Sequence, residues 1–265
     1  MDPGLVPFGE AFAEAGLDAF TFDYRGWGHS PGEPRQIAWP PNHREDLANA
    51  VGFVAGLESV DPSRLVLWGW SWGASHVLHH ASASPDVAAA VIAVGPDANG
   101  LATLRHLGSQ TGIGHMARLS AYGMRDLAAQ ARGLPPVYLP LAGPPGSPAV
   151  MTTEECLPGY EALAGPTWKN EVGARVAVAE SLNRGVAKAK DLRCPILVQG
   201  GDHDQVSPPS VPRQVAWEAK GLSELREYPC GHFGYLLEQR DRVIADQLHF
   251  LGRHLAATEP APAAA

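Results

Sequence analysis

Trp68-Gly69-Trp70-Ser71-Trp72-Gly73 is the stretch on which the reading of this chain turns. It follows an apolar run at 64–68 and precedes a segment of helical spacing that reaches about residue 84, so Ser71 falls on a tight turn between a strand and a helix. Such a turn strains the backbone of its central residue, and the flanking positions must carry almost no side chain; here they are Gly69 and Gly73. The hydroxyl is then presented at a strand end. With 29 glycines in 265 residues, a GxSxG pentapeptide arises by chance about 0.2 times per chain. The strand before it and the helix after it are what give the motif weight.

Working outward, residues 5–15 read as a short helix ended by Gly16, 17–24 (LDAFTFDY) as a buried strand, and 42–57 as a helix with Leu47, Val51 and Val54 on one face. Beyond Ser71, 87–94 (VAAAVIAV) is a continuous apolar strand, as expected where helices cover both faces of a parallel sheet. The alternation then stops from 97 to 192, a stretch with helical segments near 100–107, 115–131 and 172–190 around a Pro/Gly-rich loop at 133–148. It resumes with a strand at 195–200, a helix at 211–220, a strand at 224–228 and an amphipathic helix at 236–255. The expected architecture is an α/β fold with a doubly wound, mostly parallel sheet built from residues 1–96 and 193–255. An inserted helical cap occupies 97–192, and the tail at 256–265 is expected to be disordered.

Composition narrows the classes of function. Twenty basic against 28 acidic residues give a net charge of −8, with no basic cluster to collect phosphates, so nucleic acid is not an expected partner. The first 24 residues lack Lys and Arg but hold Asp2, Glu10, Glu14 and Asp18, which fits neither a signal peptide nor a transit peptide. No run approaches the length of a membrane span. Cys156, Cys194 and Cys230 are odd in number and lack disulfide or zinc spacing, so a reducing, cytoplasmic setting is expected, with no metal and no cofactor. Oligomeric state is left open.

A serine hydroxyl becomes a nucleophile when a base removes its proton, and an imidazole does so near neutral pH if an acid fixes its tautomer. Both partners are available at strand ends. The strand at 195–200 runs into Gly201-Asp202-His203-Asp204, and the strand at 224–228 into Pro229-Cys230-Gly231-His232-Phe233-Gly234. Without these partners Ser71 would read as a helix N-cap. Asp202 reads as a turn former or cap, and Asp23 and Arg25 as structural.

The order Ser71, Asp204, His232 resembles the nucleophile, acid, base order of the α/β-hydrolases, and four segments carry that resemblance over nearly the whole chain. Asp23-Tyr24-Arg25-Gly26-Trp27-Gly28-His29-Ser30 resembles the family's DxRGxGxS turn, Gly69 to Gly73 its elbow, Gly201 to Asp204 its GxxD acid loop, and Gly231-His232-Phe233 its GH base loop. The resemblance selects Asp204 over Asp202 as the acid. It implies a serine hydrolase of carboxylic esters acting on a small-molecule acyl substrate, with the Trp72 amide as one oxyanion donor. Trp70, Tyr138, Tyr160 and Trp168 are candidate substrate-contacting residues. Peptidase, amidase and thioesterase activities use the same triad, and a non-catalytic binding module is the rival from another class.

The family's second oxyanion donor comes from a loop ahead of the helix at 5–15, and the chain starts at Met1-Asp2-Pro3, just before that helix. The resemblance therefore implies that amino-terminal strands are absent, among them a central one between the strands at 17–24 and 64–68. Loss of one donor costs roughly 100- to 1000-fold in turnover.

Overall fold

A computed structural model describes residues 4–255. The expectation of disorder at 256–265 lies outside the described residues. The chain opens with α1 (Val6–Glu14), whose prolyl start suits a first helical turn, and Gly16, at φ +79°, turns the chain away from its end. Next come α2 (Pro40–Ala55), β1 (Val66–Trp70), α3 (Trp72–Ala83) and β2 (Ala90–Val94). Between β2 and the following sheet strand lie α4 (Gly100–Thr111), α5 (Ile113–Ala131), β3 (Tyr138–Leu139), α6 (Cys156–Leu163), β4 (Val172–Gly173), α7 (Val176–Ala179) and α8 (Val186–Ala189). The chain closes with β5 (Ile196–Gly201), α9 (Ser210–Glu218), β6 (Ser223–Tyr228) and α10 (Arg240–His254).

Among the described residues the main sheet has the order β1-β2-β5-β6, and every neighbouring pair is parallel. Alternation along β2 explains why its sequence is apolar throughout. Val91 and Ala93 pack with Leu67, Ile196 and Val198 under α2, α3 and α9, while Ala90, Ile92 and Val94 pack with Leu197 against Phe8 of α1 and Val243 and Phe250 of α10. Helices cover both faces, so the sheet is doubly wound.

Residues 17–24, expected as a strand, form none. A strand needs a ladder partner, and among the described residues β1 pairs with β2 alone, leaving 17–24 held by side chains: Phe22 on the α2/α3 core, Phe20 against Phe53, and Tyr24 stacked on His43. A groove of about 600 Å³ lies between α1 and this segment, lined by Leu5, Gly9, Ala13, Leu17 and Thr21 among others. No strand stands between 17–24 and β1 among the described residues.

The continuous helix expected at 172–190 is also broken. Asp126 of α5 is fully buried and accepts the backbone N–H, Nε and Nη2 of Arg175 and the N–H of Val137. That ion pair fixes Arg175 at the start of α7, and Val172–Gly173 is drawn into the antiparallel pair β3–β4 instead. The hydrogen bonds of Arg175 outweigh burial and hold the Asp126 carboxyl below its usual range.

Candidate active site

At the end of β1 the backbone of Ser71 takes φ 56° and ψ −122°, the strained turn that the flanking glycines announced. Ser71 N–H still donates to the Val94 carbonyl at 2.9 Å, so the turn extends the β1–β2 pairing while α3 starts at the next residue. The two glycines are not equivalent. A Cβ at Gly69 would strike the backbone of Gly73 and Ala74, whereas one at Gly73 would meet nothing within 4 Å beyond its own helix. Only Gly69 is demanded by space.

The strand-end loops of β5 and β6 converge on this serine. His232 Nε2 lies 2.8 Å from Ser71 Oγ, and His232 Nδ1 lies 2.8 Å from Asp204 Oδ2. Both partners are buried, His232 at 1% exposure and Asp204 at 3%. Asp204 Oδ1 accepts the amides of Val206 and Ser207 at 2.9 and 2.7 Å, so the carboxylate is fixed from both sides. Asp202 stands apart, half-exposed and 3.6 Å from Arg213. Burial favours a neutral His232, yet the charges and hydrogen bond of Asp204, with Glu155 and Asp97, outweigh it and raise the imidazole above its ordinary value.

Trp72 occupies the first turn of α3, where a backbone N–H has no intrahelical acceptor and the helix dipole favours developing negative charge. Its indole points away into a second acidic cluster, donating to Glu180 Oε2. Asp97, whose N–H binds the Ser71 carbonyl, accepts Thr103 Oγ1 at 2.7 Å; Asn183 Nδ2 holds the Asp97 carbonyl and Asn183 Oδ1 accepts Ser75 Oγ. Burial pushes the Asp97 carboxyl up to about 6, and burial beside Asp97 pushes Glu180 well above the carboxylate range.

Of the candidate substrate contacts, Trp70 braces the base loop, its indole donating to the His232 carbonyl at 3.2 Å with its ring 5.1 Å from the imidazole. Tyr160 packs edge-on to Phe233 and stacks on Trp168, one residue removed from His232. Tyr138 is tied elsewhere, its hydroxyl donating to the Arg35 carbonyl. Asp23 accepts the His29 N–H, and Arg25 binds Asp46 and Glu45, which makes this turn a structural corner. Glu155, Asp97, Glu180 and Asn183 went unread in the sequence, because each is polar, lies in the 97–192 stretch and has no neighbouring motif. Among the described residues no three His, Cys, Asp or Glu side chains gather as metal ligands would. No helix there is long and apolar enough to cross a membrane.

A doubly wound parallel sheet with a serine on a strained strand-to-helix turn, and histidine and aspartate on later strand ends, defines an α/β-hydrolase fold. The family profile described as Hydrolase_4, serine aminopeptidase S33, matches residues 5–239, and the chain belongs to this family. It is similar to the quorum-quenching protein AidA of Acinetobacter baumannii, with 32% identity over 94% of this chain and 81% of that protein. It is also similar to the polyketide transferase grgF of a Penicillium species, at 27% identity over 96% of this chain and 84% of that one. The crystal structure of the α/β hydrolase GrgF superposes with a TM-score of 0.78, at 25% identity, covering 96% of this chain and 85% of that one. A monoacylglycerol lipase of Paleococcus ferrophilus shares the fold at a TM-score of 0.69 and 18% identity, covering 94% and 89%.

Proposed function

We propose that the protein is a serine hydrolase of carboxylic esters, acting through an acyl-enzyme on Ser71. The observation that carries this reading is the continuous chain of two 2.8 Å hydrogen bonds from Ser71 Oγ through His232 to a buried Asp204. As Ser71 attacks the acyl carbonyl, its proton passes to His232 Nε2, and the adjacent carboxylate stabilises the imidazolium while holding Nδ1–H in the required tautomer. The Trp72 amide donates to the tetrahedral oxyanion. His232 then protonates the departing alkoxide, and a water activated by the same ring releases the acid. No cofactor enters this sequence.

Residues 97–192 act in this reading as a cap over the serine. The segment contributes Glu180 and Asn183 to the elbow and Tyr160 to the base loop. The three cysteines are free and buried, which supports a reducing, cytoplasmic setting.

A second reading, transfer of an acyl group from a thioester, is favoured by relatives named polyketide transferase and thiohydrolase; the latter, apmlB of Arthrinium phaeospermum, is 33% identical over half of this chain. The same acyl-enzyme serves both. Turnover measured on p-nitrophenyl esters, acyl thioesters and aminoacyl anilides decides between them. The proposal expects the esters to be preferred; faster turnover of thioesters selects the second reading, and preference for anilides would replace both with a peptidase.

A further inference from the structure

Glu155 immediately precedes α6, some 50 residues ahead of the acid loop and 77 ahead of His232. Its Oε1 accepts the amide N–H of Gln205 at 2.6 Å, and its Oε2 accepts the amide N–H of His232 at 2.7 Å. One carboxylate thus grips the residue after Asp204 and the backbone of His232 itself. Hydrogen bonds to an ionised acceptor are shorter and roughly twice as strong as neutral ones, so two of them form a stiff link between loops that leave different strands. We infer that Glu155 is a positioning residue, which sets the spacing of the acid loop and the base loop and adds negative charge beside the imidazole of His232.

Gly231 supplies an independent observation. Its φ lies outside the left-handed region, so alanine is conformationally acceptable there. Yet a Cβ at this position would collide with the Glu155 carboxylate, whose three atoms are its nearest neighbours. The glycine is reserved for the carboxylate rather than for the turn.

The charges around the pair are few. His232 is faced by Asp204 from the acid loop, Asp97 from the loop after β2, and Glu155. Glu155 is faced by Asp204 and His232. The thiols of Cys156 and Cys230 and the hydroxyl of Tyr235 also lie near it, and burial pushes the thiols up to about 11 and about 12 and the hydroxyl well above its ordinary value, so all three stay neutral. Burial raises Glu155 above the usual carboxylate range, opposed by the two amides it accepts.

The inference rests on the proposal that Ser71, His232 and Asp204 are the reacting groups. Its test uses the full chain as Glu155→Gln, Glu155→Ala, Gly231→Ala and the double variant Glu155→Ala/Gly231→Ala. Four quantities are measured: kcat and KM on p-nitrophenyl acetate, the melting temperature, and the titration of the His232 ring by NMR without substrate. Loose positioning of reacting groups costs up to about 100-fold in rate. Each single variant should therefore lose roughly 10- to 100-fold in kcat with KM within about twofold. The His232 titration should move to lower pH in both Glu155 variants. Because the collision partner is gone, the double variant should match Glu155→Ala within about twofold.

An unchanged kcat and an unchanged His232 titration in a folded Glu155→Gln protein would overturn the inference, as would losses from Gly231→Ala and Glu155→Ala that multiply. If Glu155→Ala fails to fold, Glu155→Gln and Gly231→Ala decide. A wild-type protein without turnover defeats the proposed function instead, and the ring titration still reports on Glu155.

Discussion

Two carboxylate groups flank the nucleophile elbow, and the protein treats them differently. On one side Asp204 meets two backbone amides and the imidazole of His232, so its charge is answered in full. On the other, Glu180 receives the Trp72 indole N–H and lies against Asn183 and a second buried carboxyl, Asp97. Burial is comparable; the supply of donors is not. A buried carboxylate keeps its charge only where hydrogen-bond donors replace water, and where they run short the proton stays on the acid. The donor-rich side carries the proposed chemistry. The donor-poor side joins the elbow to the 97–192 segment and depends on remaining protonated.

Removing the nucleophile should have the largest effect. Ser71→Ala should lower ester turnover by about 10⁶-fold while melting near the wild-type temperature, since the strained backbone and the Cβ are kept and one hydroxyl is lost. On the donor-rich side, Asp204→Asn should cost about 10⁴-fold in kcat, because the amide offers the wrong partner to His232 Nδ1. If Asp204→Asn keeps wild-type turnover, the acid has been misassigned. Asp202→Asn, the neighbouring control, should change kcat by less than about twofold, since its half-exposed side chain pairs with Arg213.

Stability probes the other acid pairs. Breaking a buried ion pair by removing one partner costs about 3–5 kcal/mol. Arg175→Met, which strands the buried Asp126, should show a loss of that size by urea denaturation. The Asp97–Glu180 side should respond to pH with a definite sign. Both carboxyls are raised in the folded state, so the unfolded chain releases its protons first as pH rises, and the pair's contribution to stability should fall as pH rises above about 5. That slope is opposite in sign to that of the buried His43 and His76 and the half-buried His79, which burial lowers. Glu180→Gln, which cannot ionise, should flatten that slope; a slope equal to wild type would mean that Glu180 is charged in the fold.

Much of the sheet was legible because its signals are local. The unbroken apolar run of β2 and the glycines around Ser71, Asp204 and His232 each mark a strand or its end without reference to distant residues. What escaped the reading depends on tertiary partners. Residues 17–24 have the aromatic and aliphatic composition of a strand but no ladder to join, and their rings pack on α2 and α3 instead. The segment 172–190 has helical periodicity, yet the buried Asp126 captures Arg175 and cuts it. Glu155 and Glu180 sit among ordinary polar residues, and only the arrival of the β5, β6 and α3 ends gives them a role.

The central claim is that Ser71 is the nucleophile. Treating the chain with a fluorophosphonate and locating the adduct by peptide mass spectrometry tests it most directly. The account predicts one phosphonyl group on the peptide bearing Ser71, none in Ser71→Ala, and strongly slowed labelling in Asp204→Asn. Unmodified, folded wild-type protein, or an adduct that persists in Ser71→Ala, would contradict it.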